Sequence, residues 1–186
     1  MLISTKMKMK YNESINIPEK VECKFVNSIL ECKKEDKLFS MEMDIPKTKI
    51  DVKKEKIEIS SEKANKKVIK IIKSNIAHIN NGLKGLENDF IYKLEICHVH
   101  FPMTVKTEGN NVVISNFLGE KTLRTAKILD NVKVDIKGKE ITVSGQNISD
   151  VGQTAANIEK ATKVKGKDRR IFQDGIFMTE KPGRKI

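Results

Sequence analysis

Two stretches of this chain hold residues whose types and spacing could do chemistry. The first is the run 163–186, KVKGKDRRIFQDGIFMTEKPGRKI. It carries eight cations, Lys163, Lys165, Lys167, Arg169, Arg170, Lys181, Arg184 and Lys185, against three acids, Asp168, Asp174 and Glu180, a net of +5. Cations at this density suit a polyanion, because each one that neutralises a phosphate releases condensed counterions. Phe172 and Phe177 are interleaved with the charge, and aromatic rings stack on unpaired bases or pack into a groove. Gly166, Gly175 and Gly183 give the run shape. The run is too polar to form a core of its own. Charge alone fits a solvated basic terminus as well as an RNA-binding arm, and the aromatics and glycines favour the arm.

The second stretch is Cys97-His98-Val99-His100, which has the residue types of a metal site. Read as a strand, it places His98 and His100 on one face and Cys97 on the other. Three diverging ligands cannot close a tetrahedral shell, and His78 lies far off on a helical stretch, so no metal is expected. Catalytic signatures are missing too: there is no Gly-x-Ser-x-Gly, no His-Glu-x-x-His and no Gly-x-x-x-x-Gly-Lys-Ser/Thr. No catalytic residue, cofactor or small-molecule substrate is implied. The run 116–121, NFLGEK, sets a glycine turn beside Lys121. Its backbone N–H groups could hold a phosphate, or it is an ordinary loop between strands. Lys53, Lys54, Lys56, Lys63, Lys66, Lys67, Lys70 and Lys73 enrich the first half. Those at helical spacing lie mostly opposite Val68 and Ile72, as on a solvated polar face.

Composition narrows the partners. The 186 residues carry a net charge of +11 with pI near 9.5, which points to nucleic acid or an anionic surface. No apolar run reaches the roughly 18 residues of a membrane span, and the N-terminus lacks a signal-peptide core, so a cytosolic chain is expected. The three cysteines, Cys23, Cys32 and Cys97, have no disulfide or zinc spacing and read as isolated, mostly buried thiols. The charge is uneven: residues 1–84 carry a net +7, residues 85–162 a net −1 and the tail +5.

An internal repeat supplies the elements that must position these residues. At an offset of 84, Ile50-Asp51-Val52-Lys53 lies over Val134-Asp135-Ile136-Lys137, and Ile57, Ile59 and Ser60 over Ile141, Val143 and Ser144. Pro18 lies over Pro102 and Val21 over Val105, and the same offset serves from Pro18 to Ser60 without a gap. That agreement predicts a duplicated unit. Val132, Val134 and Ile136, then Ile141 and Val143, alternate as in half-buried strands. Gly138-Lys139 between them suits a two-residue hairpin turn. Ile50, Val52, Ile57 and Ile59 repeat the pattern, Val112, Val113 and Ile114 follow a turn, and 38–43 reads as another strand. Each copy closes on a helix. In the first, Ala64, Val68, Ile72, Ile76 and Ile79 recur at helical spacing, with Ser60 or Ser61 as cap and Asn81-Gly82 as stop. In the second, Ile148, Val151, Ala155, Ile158 and Thr162 share a face, with Asn147 or Ser149 as cap and Gly166 as stop. Gly152 inside that helix predicts a close approach. The expected fold is α+β: two tandem small domains, 1–82 and 83–162, each an antiparallel sheet packed by one helix. A basic RNA-binding extension, 163–186, follows.

Four runs now carry a family resemblance: YKLEI at 92–96 leading into HFPM at 100–103; ISNFLGEK at 114–121; VSG at 143–145 with VGQTAA at 151–156; and KDRRIFQDGIF at 167–177. Together they resemble the large-subunit ribosomal protein L-six family in its archaeal and eukaryotic branch. The likeness spans nearly the whole chain and is strongest from Tyr92 onward. It implies two copies of one α+β fold and a structural role. The implied partners are 23S-type rRNA, near the factor-binding side and the sarcin–ricin loop region, and neighbouring large-subunit proteins. It also implies that the second domain and its extension make much of the rRNA contact. Here that falls on Lys163, Lys165, Lys167, Arg169, Arg170, Phe172, Phe177, Arg184 and Lys185, with Lys121 beside them. Cys97-His98-Val99 departs from the usual family pattern. The alternatives are a free-standing nucleic-acid-binding module outside the ribosome and a metal-dependent enzyme built on Cys97, His98 and His100.

Overall fold

The computed structural model describes residues 9–186 apart from Asp36, Pro46, Lys47, Lys54 and Arg169. The fold is α+β, with antiparallel sheets and two helices. The chain divides into two compact units, one ending at Glu87 and the other running Asn88–Ile186.

The first unit contains β1 (Met9–Asn16), β2 (Glu22–Val26), β3 (Ile29–Lys34), β4 (Lys37–Glu42), β5 (Lys49–Val52), β6 (Lys56–Ala64) and α1 (Lys66–Glu87). The strands form two sheets, ordered β1-β6-β5 and β2-β3-β4. Leu30, Cys32, Ile57, Ile59, Ile72 and Ile79 are fully buried between sheets and helix. The single sheet expected of this domain is two, because the chain leaves the first sheet after β1 and returns to it with β5. Three further expectations change here. Ser60 and Ser61 belong to β6. The cap of α1 is Asn65, whose Oδ1 accepts the N–H of Val68 at 2.9 Å. Gly82 does not stop α1, which runs on to Glu87. A Cβ on Gly82 would overlap the ring of Phe39, so this glycine is a notch for an aromatic ring. The third change concerns the cysteines: Cys23 and Cys32 form a disulfide. Asn27 and Ser28, both at positive φ, make a two-residue turn that pairs Val26 with Ile29. Counting back from that turn places Cys23 opposite Cys32. Cys97 is the free thiol.

The second unit contains β7 (Phe90–Cys97), β8 (Thr104–Glu108), β9 (Asn111–Ser115), a 3₁₀ turn (Phe117–Gly119), β10 (Arg124–Lys127), β11 (Val132–Lys137) and β12 (Glu140–Gly145). It continues through α2 (Ile148–Ala161), β13 (Gly175–Lys181) and β14 (Arg184–Lys185). One sheet is ordered β10-β9-β8 and the other β11-β12-β7-β13-β14. The hairpin β11–β12 pairs Val134 with Val143 and Ile136 with Ile141, and Gly138 supplies its positive φ of 61°. Leu94, Val112, Ile114, Val151, Ala155, Ile158 and Ile176 are buried without exposure. Asn147 caps α2 by accepting the N–H of Ser149 at 3.0 Å, and the helix ends at Thr162 rather than Gly166. The close approach expected at Gly152 is to β7: a Cβ there would lie 3.1 Å from the hydroxyl of Tyr92.

The C-terminal run does not stand apart as a polar arm. Gly175–Lys181 is a strand of the five-stranded sheet, paired with β7, and Ile176 is wholly buried in the core. The cations of the run hide a short β-prone stretch, Ile176-Phe177-Met178, whose buried residue anchors it. Gly145, at the end of β12, is also closely packed. A Cβ there would come within 2.9 Å of the Asn131 carbonyl oxygen and of Cγ2 of Val151. Gly145→Ala is therefore expected to destabilise the second unit by about 1–3 kcal/mol through overpacking. A urea midpoint that rose instead would show that the strand gains more from alanine than the contact costs.

Candidate nucleic-acid interface

Asp174, the residue before β13, is 1% exposed. Its Oδ1 accepts the N–H groups of Val99 at 2.7 Å and of His100 at 3.0 Å. Its Oδ2 lies 2.6 Å from Nδ1 of His100. A carboxylate can only accept, so Nδ1 carries the hydrogen. Burial alone would raise the Asp174 pKa. The bonds from the His100 ring and the two amides outweigh it and hold the carboxyl down at about 2. This clasp fixes the loop after β7 against the segment before β13, 74 residues later. It also overturns the strand reading of the second stretch: β7 ends at Cys97, and residues 98–101 bend away around Asp174. No group of three His, Cys, Asp or Glu able to hold a metal occurs among the described residues.

Two ring contacts extend the clasp. The His100 ring stacks on Phe172 with centroids 5.0 Å apart, and the ammonium of Lys167 lies 4.6 Å from the Phe172 centroid. Asp168 turns the chain between them: its side chain accepts the N–H of Arg170 and its carbonyl the N–H groups of Ile171 and Phe172.

A second fastening joins the loop after β9 to the end of α2. Arg124 binds Glu120 through Nε at 2.8 Å and Nη2 at 2.6 Å, a two-point contact. Its Nη1 donates to the carbonyl of Ala161 at 2.8 Å and, more weakly, of Lys163 at 3.4 Å. The guanidinium also lies 4.2 Å over the ring of Phe117. Hydrogen bonding from Arg124 lowers the pKa of Glu120, with the charge of Lys167 contributing. The run 116–121 is thus an αL-containing turn, with Asn116 at φ 58°, whose side chain donates to the Pro102 carbonyl at 2.9 Å. Its Gly119 and Glu120 N–H groups bond within the turn.

Three loops, 98–103, 116–123 and 163–174, therefore meet at one end of the second unit. Lys121, Lys163, Lys165, Lys167 and Arg170 are all exposed there; Arg169 lies outside the described residues. Phe172 and Phe177 both line an open groove of about 860 Å³, with Lys160, Lys163 and Val164. Arg184 and Lys185 fall elsewhere. They sit on β14, beside Glu180 and Lys181, and Glu180 is opposite Lys93, four residues along β7 from Cys97. At strand rise that is about 13 Å from the loops. Sequence reasoning missed Asp174, Glu120 and Arg124 as organisers. Their partners are far away in the chain, and no local pattern marks them.

A family profile described as Ribosomal protein L6 matches residues 101–175, a stretch that takes in α2, the loops 116–123 and 163–174 and the end of the loop 98–103. The chain is also similar to large ribosomal subunit protein uL6 of Methanococcus vannielii, at 45% identity over 92% of this chain and 94% of that protein. The chain belongs to the ribosomal protein L6 family. It is likewise similar to uL6 of Methanobrevibacter smithii, 41% identical over 91% of this chain and 95% of that one. The uL6 of Methanosphaera stadtmanae is 52% identical over 63% and 64%. Membership makes the chain a structural ribosomal protein and not an enzyme.

Proposed function

We propose that this chain is a structural constituent of the large ribosomal subunit in the cytoplasm. It binds 23S-type rRNA through the loop end of its second unit, near the factor-binding side and the sarcin–ricin loop region. The observation that carries the rRNA contact is the convergence of three loops, locked by Asp174 and Arg124, that present Lys121, Lys163, Lys165, Lys167 and Arg170 to solvent. Cations held on a fixed frame recognise the spacing of a phosphate backbone. The deep major groove of A-form RNA hides base edges from side chains, so recognition is by shape and backbone. Family membership supports the place in the subunit and neighbouring large-subunit proteins as partners.

The two units are read as copies of one ancestral domain. The strand orders support this: β1-β6-β5 corresponds to β7-β12-β11, and β2-β3-β4 to β8-β9-β10, with a helix closing each. Ile50 pairs with Ile59 and Val134 with Val143, the same register at the offset of 84. The first hairpin departs from it, for its turns, Asn27-Ser28 and Gly109-Asn110, are 82 apart. On this reading residues 163–186 are an addition to the second copy.

Sedimentation of a native cell extract on a sucrose gradient tests the reading. The chain is expected to travel with the large subunit and to stay there through a moderate salt wash. Recovery at the top of the gradient would favour a free-standing nucleic-acid binder.

A further inference from the structure

The lysines of α1 are placed against the electrostatics of their own helix. Helix α2 has Asp150 in its first turn and Lys160 in its last, the arrangement a helix dipole favours. Helix α1 has no acid in its first turn, which Lys66 and Lys67 occupy instead. From Lys66 to Leu86 there are five lysines and no Asp or Glu. Lys66 and Lys70 are four apart, and Lys70 is three from both Lys67 and Lys73. Like charges at these spacings repel across the helix surface. Lys66, Lys67, Lys70 and Lys73 are all exposed, and none forms an ion pair among the described residues. At helical pitch Lys66, Lys70, Lys73 and Lys84 fall within an arc of about 60°, with the small Ala77 between them. The buried Ile72 and Ile79 are on the far side. Only Lys84, in the last turn, suits the dipole.

We infer that this stripe is a second anion-binding surface, on the first unit, and that its occupant is the phosphate backbone of RNA. The inference rests on the rRNA reading above. Lys66, Lys70 and Lys73 stand about one helical turn apart and Lys84 about three turns further on, with no apolar side chain larger than Ala77 between them, a row that suits a line of phosphates. It lacks the buried apolar centre that a protein interface requires. Ile71, 41% exposed, lies to one side of the row. A phosphate line also explains why the repulsion is retained: the bound anion removes it.

The test is the full chain with Lys66→Gln, Lys70→Gln and Lys73→Gln. The control, Lys24→Gln, Lys33→Gln and Lys49→Gln, neutralises three exposed lysines of the same unit. Binding to large-subunit rRNA stripped of protein is measured by filter retention across a KCl series, and hydrogen exchange of the α1 amides is followed in the free protein. The α1 variant should lower the slope of log K against log salt by about 2–3. It should also weaken binding roughly a hundredfold near 0.1 M KCl. Its α1 amides should exchange more slowly, because the repulsion is gone. A slope no lower than the control's, beside a wild type that binds steeply, overturns this surface and leaves the loop site standing. Slower exchange with an unchanged slope shows that the repulsion is real but is not relieved by RNA, and overturns the RNA occupant. A wild type that shows no salt-dependent retention removes both readings together.

Discussion

Replacing Asp174 by alanine is expected to cost the second unit about 3–5 kcal/mol, because three donors lose one buried charged acceptor at about 1–3 kcal/mol each. The side chain is 1% exposed and serves three donors. Alanine would leave the N–H groups of Val99 and His100 and the His100 ring without their acceptor, each at the expense of desolvation. Asp174→Asn keeps the shape but turns an amide donor toward Nδ1 of His100 and removes the charge that strengthens the two backbone bonds, so it should be nearly as damaging. The clasp also predicts a pH response. The folded pKa of about 2 lies below the ordinary carboxylate value of 3.8. The stabilisation is therefore complete above about pH 4 and is lost as pH falls toward 2, amounting to about 2 kcal/mol. Urea unfolding of wild type and Asp174→Asn at pH 7 and pH 2.5 checks both statements. The gap between the two proteins should narrow in acid. A gap under about 1 kcal/mol at pH 7 would mean that the loops are held by packing alone.

The legible and illegible parts of this chain divide by distance along the sequence. Period-two alternation at Val132, Val134 and Ile136 and at Ile141 and Val143 specifies β11 and β12 locally, and Asn147 marks the start of α2. Gly82 misled because a glycine after a helical pattern signals a stop unless something far away fills its notch. Here that is Phe39, 43 residues earlier. Cys23 and Cys32 meet only because Asn27 and Ser28 set the hairpin register. β13 was masked by its charge: a strand that needs one buried residue, Ile176, to anchor it has little apolar signal to offer. The cations of the site were visible as composition, but the frame that collects them was not. Asp174 and His100, or Arg124 and Ala161, are brought together by tertiary structure alone.

Neutralising the loop cations together, Lys163→Gln, Lys165→Gln, Lys167→Gln and Arg170→Gln, is expected to weaken rRNA binding by about a thousandfold at 0.1 M salt. The slope of log K against log salt should fall by about 3, since each phosphate contact contributes roughly 0.7–0.9. The fold should survive, for all four residues are exposed. The Arg124 bond to residue 163 uses its backbone carbonyl, which glutamine retains. The variant loses the Lys167 contact with the Phe172 ring, about 0.5–1 kcal/mol at an exposed site, and the minor pull of Lys167 on Glu120. Arg184→Gln with Lys185→Gln provides the contrast. These residues lie along β14, away from the loops, so a site confined to the loop end should lose far less per charge. An equal loss per charge would extend the site along the β13–β14 edge, as the +5 tail suggests when read as one piece. Comparable binding of duplex DNA by the wild type would remove shape recognition. The cations alone would then account for affinity, whereas a frame fixed by Asp174 and Arg124 should prefer the A-form spacing it was folded to meet.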